Sequence, residues 1–281
     1  MNQILMNNRC LMIKLRYKAG KDRSMNVMKK DQAFRIGTGF FSVERYRPGL
    51  IFENGSSDDW AFGPIALIDH ARLKKGLKIK MHEHTNDEIL SYIHTGEMLH
   101  EDSDGSKVWV SPARTMMMNA GDSFYHQESA KYGDVDMLQV IIRPREADMS
   151  PNVQFAERKI KQTGEWHLVA GPGEIDPPLE IRQAVVVYDA HGKAGQQLEL
   201  PRFNGMTPFL YMMEGRAEAD GSVLEKGDAM SGEAKTFPIL NLVEDSIVVL
   251  FLADLGAEMT YAGSFSGPKN EADKRADLPF M

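Results

Sequence analysis

The sequence predicts an all-β protein whose fold is duplicated along the chain, and three observations carry that reading. Helical periodicity is scarce over the 281 residues. Short apolar runs bounded by Gly, Pro, Asn or Asp recur throughout, which is the signature of antiparallel strands joined by turns. One such run also has a later counterpart: Leu90-Ser91-Tyr92-Ile93-His94-Thr95-Gly96-Glu97 resembles Phe209-Leu210-Tyr211-Met212-Met213-Glu214-Gly215-Arg216, and a Gly-Asp pair follows each, at Gly121-Asp122 and Gly227-Asp228. Strands at this spacing build a sandwich or barrel, and a repeat builds two in tandem.

Residues 1–31 are basic and rich in methionine, and they read as a flexible extension ahead of a fold that starts near Gln32. GPIALIDHA (63–71) opens on a Gly-Pro turn signal and continues as a β-branched, apolar strand. EILSYIHTG (88–96) ends on the glycine of the next turn, and the acidic loop of Glu101, Asp102, Asp104 and Gly105 reads as a hairpin leading into KVWV (107–110). TMMMNAG (115–121) and DMLQVIIRP (136–144) follow, the second stopped by a proline that has no backbone donor to pair. RPREADMSPN (143–152) brackets charged residues between two prolines and marks the boundary, giving a first domain over 32–150 and a second over 151–265. Within the second, EIRQAVVVYDA (180–190), FLYMMEG (209–215) and DSIVVLFLA (245–253) repeat the strand pattern. The tail at 266–281 is polar and charged and reads as a loose surface arm.

Composition narrows the function classes. Forty acidic against 33 basic residues leave a net charge of -7, so no global basic surface is available to hold nucleic acid or an anionic membrane. Apolar runs are far too short for a bilayer, and the single cysteine, Cys10, permits neither an internal disulfide nor a thiolate metal cluster, which points to a cytoplasmic protein. There is no GxSxG motif, and the glycines of AGPGE (170–174) follow no strand-turn-helix pattern that would make a phosphate loop.

The chemistry concentrates in MHEHTNDE (81–88), which holds two of the eight histidines. On an extended strand His82, His84 and Glu88 share one face, with Glu83 on the other. Two imidazoles on one strand face can converge on a metal, and SFYHQES offers a second pair of that spacing in His126 and Glu128. Alone, His-x-His reads more readily as a polar strand edge; the longer spacing changes that weighing. Gly76 is followed by five residues, His82, Glu83, His84, three residues, Glu88, seven residues and Gly96, and a Gly-Asp turn precedes His126. His94 and His100 lie in or near the following turn and read as solvated or structural; His70, His167 and His191 have no partner at ligand spacing. Met116 to Met118, Trp109 and Phe124 read first as core and second as cavity wall.

This spacing resembles the first motif of the cupin superfamily, differing only by one residue in the last gap. Within the cupins, HEHTNDEILSYIHTGEMLHEDSDG (82–105) and SPARTMMMNAGDSFYHQES (111–129) resemble the pirin family, with departures at Glu83, where pirins usually carry proline, and at Ala113-Arg114. The resemblance spans about residues 35–260 and implies two cupin-type β-barrel, or jelly-roll, domains. It implies a metal held by His82, His84, His126 and Glu128, with Glu88 beside them or as an alternative fourth ligand. Counting through the second copy lands on Pro201, Phe203, Gly232 and Ala234, so one divalent metal per chain is expected, in the first domain. Imidazole and carboxylate donors suit Fe(II), Mn, Co, Ni, Cu or Zn, and the resemblance implies iron.

Two functions follow from the resemblance. One is a dioxygenase of the quercetin 2,3-dioxygenase type, taking a small phenolic or enol substrate and dioxygen, with Glu128 as general base. The other is a redox-sensing metal protein that binds a transcription factor or metabolic enzyme as its partner. The enzyme is the reading preferred here.

Overall fold

The computed structural model describes residues 25–52, 59–202 and 204–269. In chain order the strands are β1 (Met25–Met28), β2 (Phe34–Thr38), β3 (Phe41–Tyr46), β4 (Ile65–Leu73), β5 (Lys78–His84), β6 (Glu88–Thr95), β7 (Met98–Asp102) and β8 (Lys107–Val110). They continue with β9 (Arg114–Asn119), β10 (Phe124–Ser129), β11 (Val135–Ile142), β12 (Asn152–Glu157), β13 (Trp166–Ala170), β14 (Val185–Gly192) and β15 (Gln197–Leu198). The last are β16 (Thr207–Glu214), β17 (Arg216–Ala219), β18 (Ser222–Glu225), β19 (Ala229–Gly232), β20 (Leu240–Leu242) and β21 (Ser246–Ala253).

They form two cupin-type barrels. The first sets the sheet β12-β9-β6-β11-β4-β3-β2 against β5-β10-β7-β8; the second sets β1-β19-β16-β21-β14-β13 against β15-β20-β17-β18. The repeat is real: β6 lies between β9 and β11 as β16 lies between β19 and β21. The turns after β6 and β16 each carry a glycine at positive φ, Gly96 at 84° and Gly215 at 82°, a conformation in which a Cβ is strained.

The large sheets are apolar on both faces because both faces are covered. Ile89 and Ile93 point into the first barrel, whereas Leu90 and Tyr92 of the same strand join a core shared with Val185, Val187, Phe209 and Phe251 of the second. Val186, Leu210 and Leu250 fill the second barrel. Doubly buried strands read as continuous apolar runs, which is why VVVY and LYMM show no alternation. The methionine run divides the same way, with Met117 between the barrels and Met116 and Met118 inside the first.

Three boundaries expected from the sequence move. Residues 25–31, assigned to the extension, are ordered: β1 pairs with β19 of the second barrel, and Met28, 1% exposed, lies in the shared core. The division at 150/151 fails because β12, expected in the second domain, pairs with β9 of the first. Each barrel therefore borrows its edge strand from the segment that precedes the other. The tail is not loose at its start: Ser266 is buried, its carbonyl accepts from Arg143 Nε at 2.6 Å, and Lys269 O accepts from the Trp60 amide. Residues 1–24 and 270–281 lie outside the described residues. No helix among the described residues is long and apolar enough to cross a membrane.

Candidate metal centre

β5 and β10 run antiparallel with His82 opposite His126 and His84 opposite Phe124. Alternation along β5 puts His82 and His84 on one face, and pairing brings His126 between them, so that one nitrogen from each of the three lies within 4.8 Å of the others. His82 Nδ1 donates to the Lys80 carbonyl at 2.9 Å, and His84 Nδ1 donates to Asp87 Oδ2 at 3.3 Å. Each hydrogen bond leaves the lone pair on Nε2. His126 turns Nε2 toward His82 Nε2, 3.1 Å away, and Nδ1 toward His100.

These residues fit a metal. Two imidazoles on one cation with bonds of about 2.1 Å stand roughly 3.0 to 3.4 Å apart in octahedral or tetrahedral geometry, which brackets the observed 3.1 Å. Burial, reinforced by the neighbouring histidines, holds His82 and His126 below the ordinary imidazole value, so that both stay neutral with lone pairs free. The donor set is all nitrogen and oxygen, as its sequence indicates.

Glu128 is placed differently from the three imidazoles. The strand pairing slips between His126 and Glu128, and the carboxylate joins a second, overlapping set with His126 and His100. Its Oε1 accepts from Gln139 Nε2 at 3.3 Å, and burial pushes its carboxyl up to about 7. His100, set aside in the sequence as solvated or structural, is 1% exposed and part of this cluster. The signal for it was the His-x-Asp alternation of His100 and Asp102 on β7, the strand on the other side of β10. His94 lies apart, 3.3 Å from Glu214 of the second barrel.

Glu88 does not belong to this centre. The extended run assumed over 82–88 breaks after His84, where Asn86 takes a left-handed φ of 50°, and Glu88 begins β6 in the opposite sheet. Its carboxylate accepts from Asn119 Nδ2 at 2.9 Å and from the Arg182 amide at 2.9 Å, away from the histidines. Burial raises it to about 7. Asp87 fills the role expected of Glu88. Fully buried, it orients His84 and accepts the amides of Phe265 and Ser266, each at 3.0 Å. The chain after β21 thereby straps across the centre, with the Phe265 ring 4.8 Å from that of His84. Glu83 faces outward, accepting from Ser123 Oγ at 2.6 Å.

In the second barrel the Gly-Asp count proves misaligned, because Gly121-Asp122 follows β9 whereas Gly227-Asp228 precedes β19. The pair that matches β5 and β10 is β15 and β20, which joins Gln197 to Asn241 and Leu198 to Leu240. Of the residues the count had named, Phe203 lies outside the described residues. Among the described residues, both candidate metal-ligand groups lie in the first barrel.

Comparison with known proteins agrees with this architecture. The Pirin family model matches residues 43–142, and the model of the quercetinase C-terminal cupin domain matches residues 168–252. A Pseudomonas aeruginosa protein provisionally named a quercetin 2,3-dioxygenase is 26% identical over 223 residues, 78% of this chain and 95% of that one. Among solved structures, the bacterial pirin YhhW from Escherichia coli, in complex with nickel(II), superposes with a TM-score of 0.70 at 19% identity, covering 82% of this chain and 98% of that one. Quercetin 2,3-dioxygenase from Acinetobacter baumannii gives 0.65 at 19% identity, with 89% and 93% covered. At such identities the two structures establish a shared fold.

Proposed function

Because this chain belongs to the pirin family of two-domain cupins, we propose that it is a metal-dependent dioxygenase of the quercetin 2,3-dioxygenase type, holding one Fe(II) in its first barrel and acting on a phenolic or enol substrate. The observation that carries this reading is the convergence of three imidazoles beside a buried carboxylate. The names of the relatives and the quercetinase model over the second barrel support it. His82, His84 and His126 hold the metal, and Glu128 is the fourth donor. When bound, such a metal supplies a Lewis-acidic, redox-active centre at which an enol oxygen loses its proton readily and dioxygen can react.

The chain's own residues do the rest. Glu128 is the carboxylate placed to take the substrate's hydroxyl proton, within the cluster and shielded from solvent. Phe265 and Phe124, packed with Leu67, Ile89, Met118 and Ile141, form an apolar wall that excludes water and suits a flat ring. His82, the least buried of the three histidines, marks the side from which a substrate enters.

The test is oxygen uptake and carbon monoxide release by iron-loaded protein given quercetin. Uptake is expected with the parent, and His82→Ala and His126→Ala are expected to lose both stoichiometric metal and uptake. Absence of turnover with iron, manganese, nickel, cobalt and copper in turn overturns the reaction; retention of metal by both variants overturns the site.

A further inference from the structure

We propose that Asp102 and His100 form a positioning relay that places the proton of His126 on Nδ1, keeping its Nε2 lone pair directed at the metal. The inference rests on His126 as a metal donor and not on the dioxygenase reaction.

It starts from strand alternation. His100 and Asp102 are i and i+2 on β7 and point inward, while Glu101 between them points out to Gln127 and Lys107. β7 pairs with β10 so that Asp102 stands opposite His126 and His100 opposite Glu128. Packing then closes a chain of contacts: His100 Nε2 lies 2.6 Å from Asp102 Oδ1, and His100 Nδ1 lies 3.3 Å from His126 Nδ1. His100 is 1% exposed, so no solvent competes for either nitrogen.

Hydrogen-bond chemistry orders the protons along that chain. An ionised carboxylate only accepts, so Asp102 takes the proton of His100 Nε2. A neutral imidazole with its proton on Nε2 offers a lone pair at Nδ1, and the group facing that lone pair, His126 Nδ1, must be the donor. His126 is thereby fixed as the Nδ1–H tautomer. Lys80 O and Asp87 do the same for His82 and His84 from the other directions. Partners of this kind orient a ligand and raise its basicity, and their loss typically costs 10- to 100-fold in metal affinity. Asp102, with an 11% exposed side chain, is the relay's link to the surface.

Two substitutions separate this role from simple packing. An asparagine at position 100 carries its amide oxygen near where His100 Nδ1 sits and can still accept from His126; a glutamine reaches instead toward the Nε2 position and Asp102. Cobalt(II) affinity, measured by competition with a chelator, is expected to fall 10- to 100-fold in His100→Gln and to return to within about threefold of the parent in His100→Asn. Equal affinities in the two variants, or no loss in His100→Gln, overturn the proposal. Should both variants fail to fold, imidazole nitrogen NMR of metal-free parent protein at pH 8 decides. Nδ1–H on His126 supports the relay, and Nε2–H overturns it. Binding of two cobalt ions per chain also overturns it, because the second would occupy the His100, His126 and Glu128 set through the nitrogen assigned here to the proton.

Discussion

Glu88 shows how a local reading and a folded environment can disagree over one side chain. Glu88 is 2% exposed, and burial moves its carboxyl from an ordinary 4.5 to about 7. A carboxyl raised on folding favours the protonated native state, so its stabilising share is complete below about pH 4.5 and is lost as pH rises through about 7. Above that the fold carries a buried charge, only partly compensated by Asn119 and the Arg182 amide. Glu88→Gln removes the charge and keeps an oxygen for that amide. In urea unfolding, the variant is expected to exceed the parent by about 2–4 kcal/mol at pH 8 and to show no advantage at pH 4. The same difference at both pH values would contradict the assignment.

Among the strands, β1 is the one whose importance runs most against its composition. It is four residues long and lies in a stretch dense with charge, yet Met25 and Met28 are buried and the whole strand pairs with β19. Burying the Met28 side chain is worth about 1.5–3 kcal/mol, and losing its ladder exposes the edge of the second barrel. A chain shortened to begin at Asp31 is therefore expected to be about 3–5 kcal/mol less stable than one beginning at Met25, read from the denaturant midpoint. Equal stability would show that the pairing contributes nothing. The strap after β21 is a second such segment, held at Asp87, Thr85 and Arg143 by backbone and side-chain contacts rather than by sheet pairing.

Across the two barrels the repeat generates a reciprocal exchange. Tyr92 of the first barrel donates to Asp189 of the second at 2.7 Å, and Tyr211 of the second meets His70 of the first at 2.7 Å. The histidines His70 and His191, which have no partner in the sequence, serve this interface. His70 is fully buried, with Asp136 on Nε2 and Tyr211 on Nδ1. Tyr211→Phe leaves the buried Nδ1 of His70 without its partner, which costs about 1–3 kcal/mol. Its thermal midpoint is expected to drop by several degrees while cobalt(II) affinity stays unchanged. A fall in affinity without a fall in stability would instead tie this interface to the metal centre.

The parts legible in the sequence are those governed by local, period-two geometry. Each of the eight apolar runs forms a strand; seven are central strands, whose two buried faces demand a continuous apolar stretch that survives in one dimension, and KVWV is the edge strand β8. Short strands such as β7, β15 and β17 were hidden because polar residues face outward between few apolar ones. His82, His84 and His126 were readable as a cluster because alternation along β5 puts the first two on one face and the β5–β10 pairing adds the third, whereas Glu128 is set off by the slip in that pairing and joins His126 and His100 instead. His100 was not, since its partner His126 is 26 residues away and meets it only through the β7–β10 register. Glu88 was misassigned because one left-handed residue, Asn86, redirects the chain. Residue type and alternation thus determined where the long apolar strands run and which imidazoles of β5 share a face. Register, strand exchange and the hydrogen bonds behind each imidazole were settled by packing between distant segments, a non-local balance of burial and pairing that no short window of sequence contains.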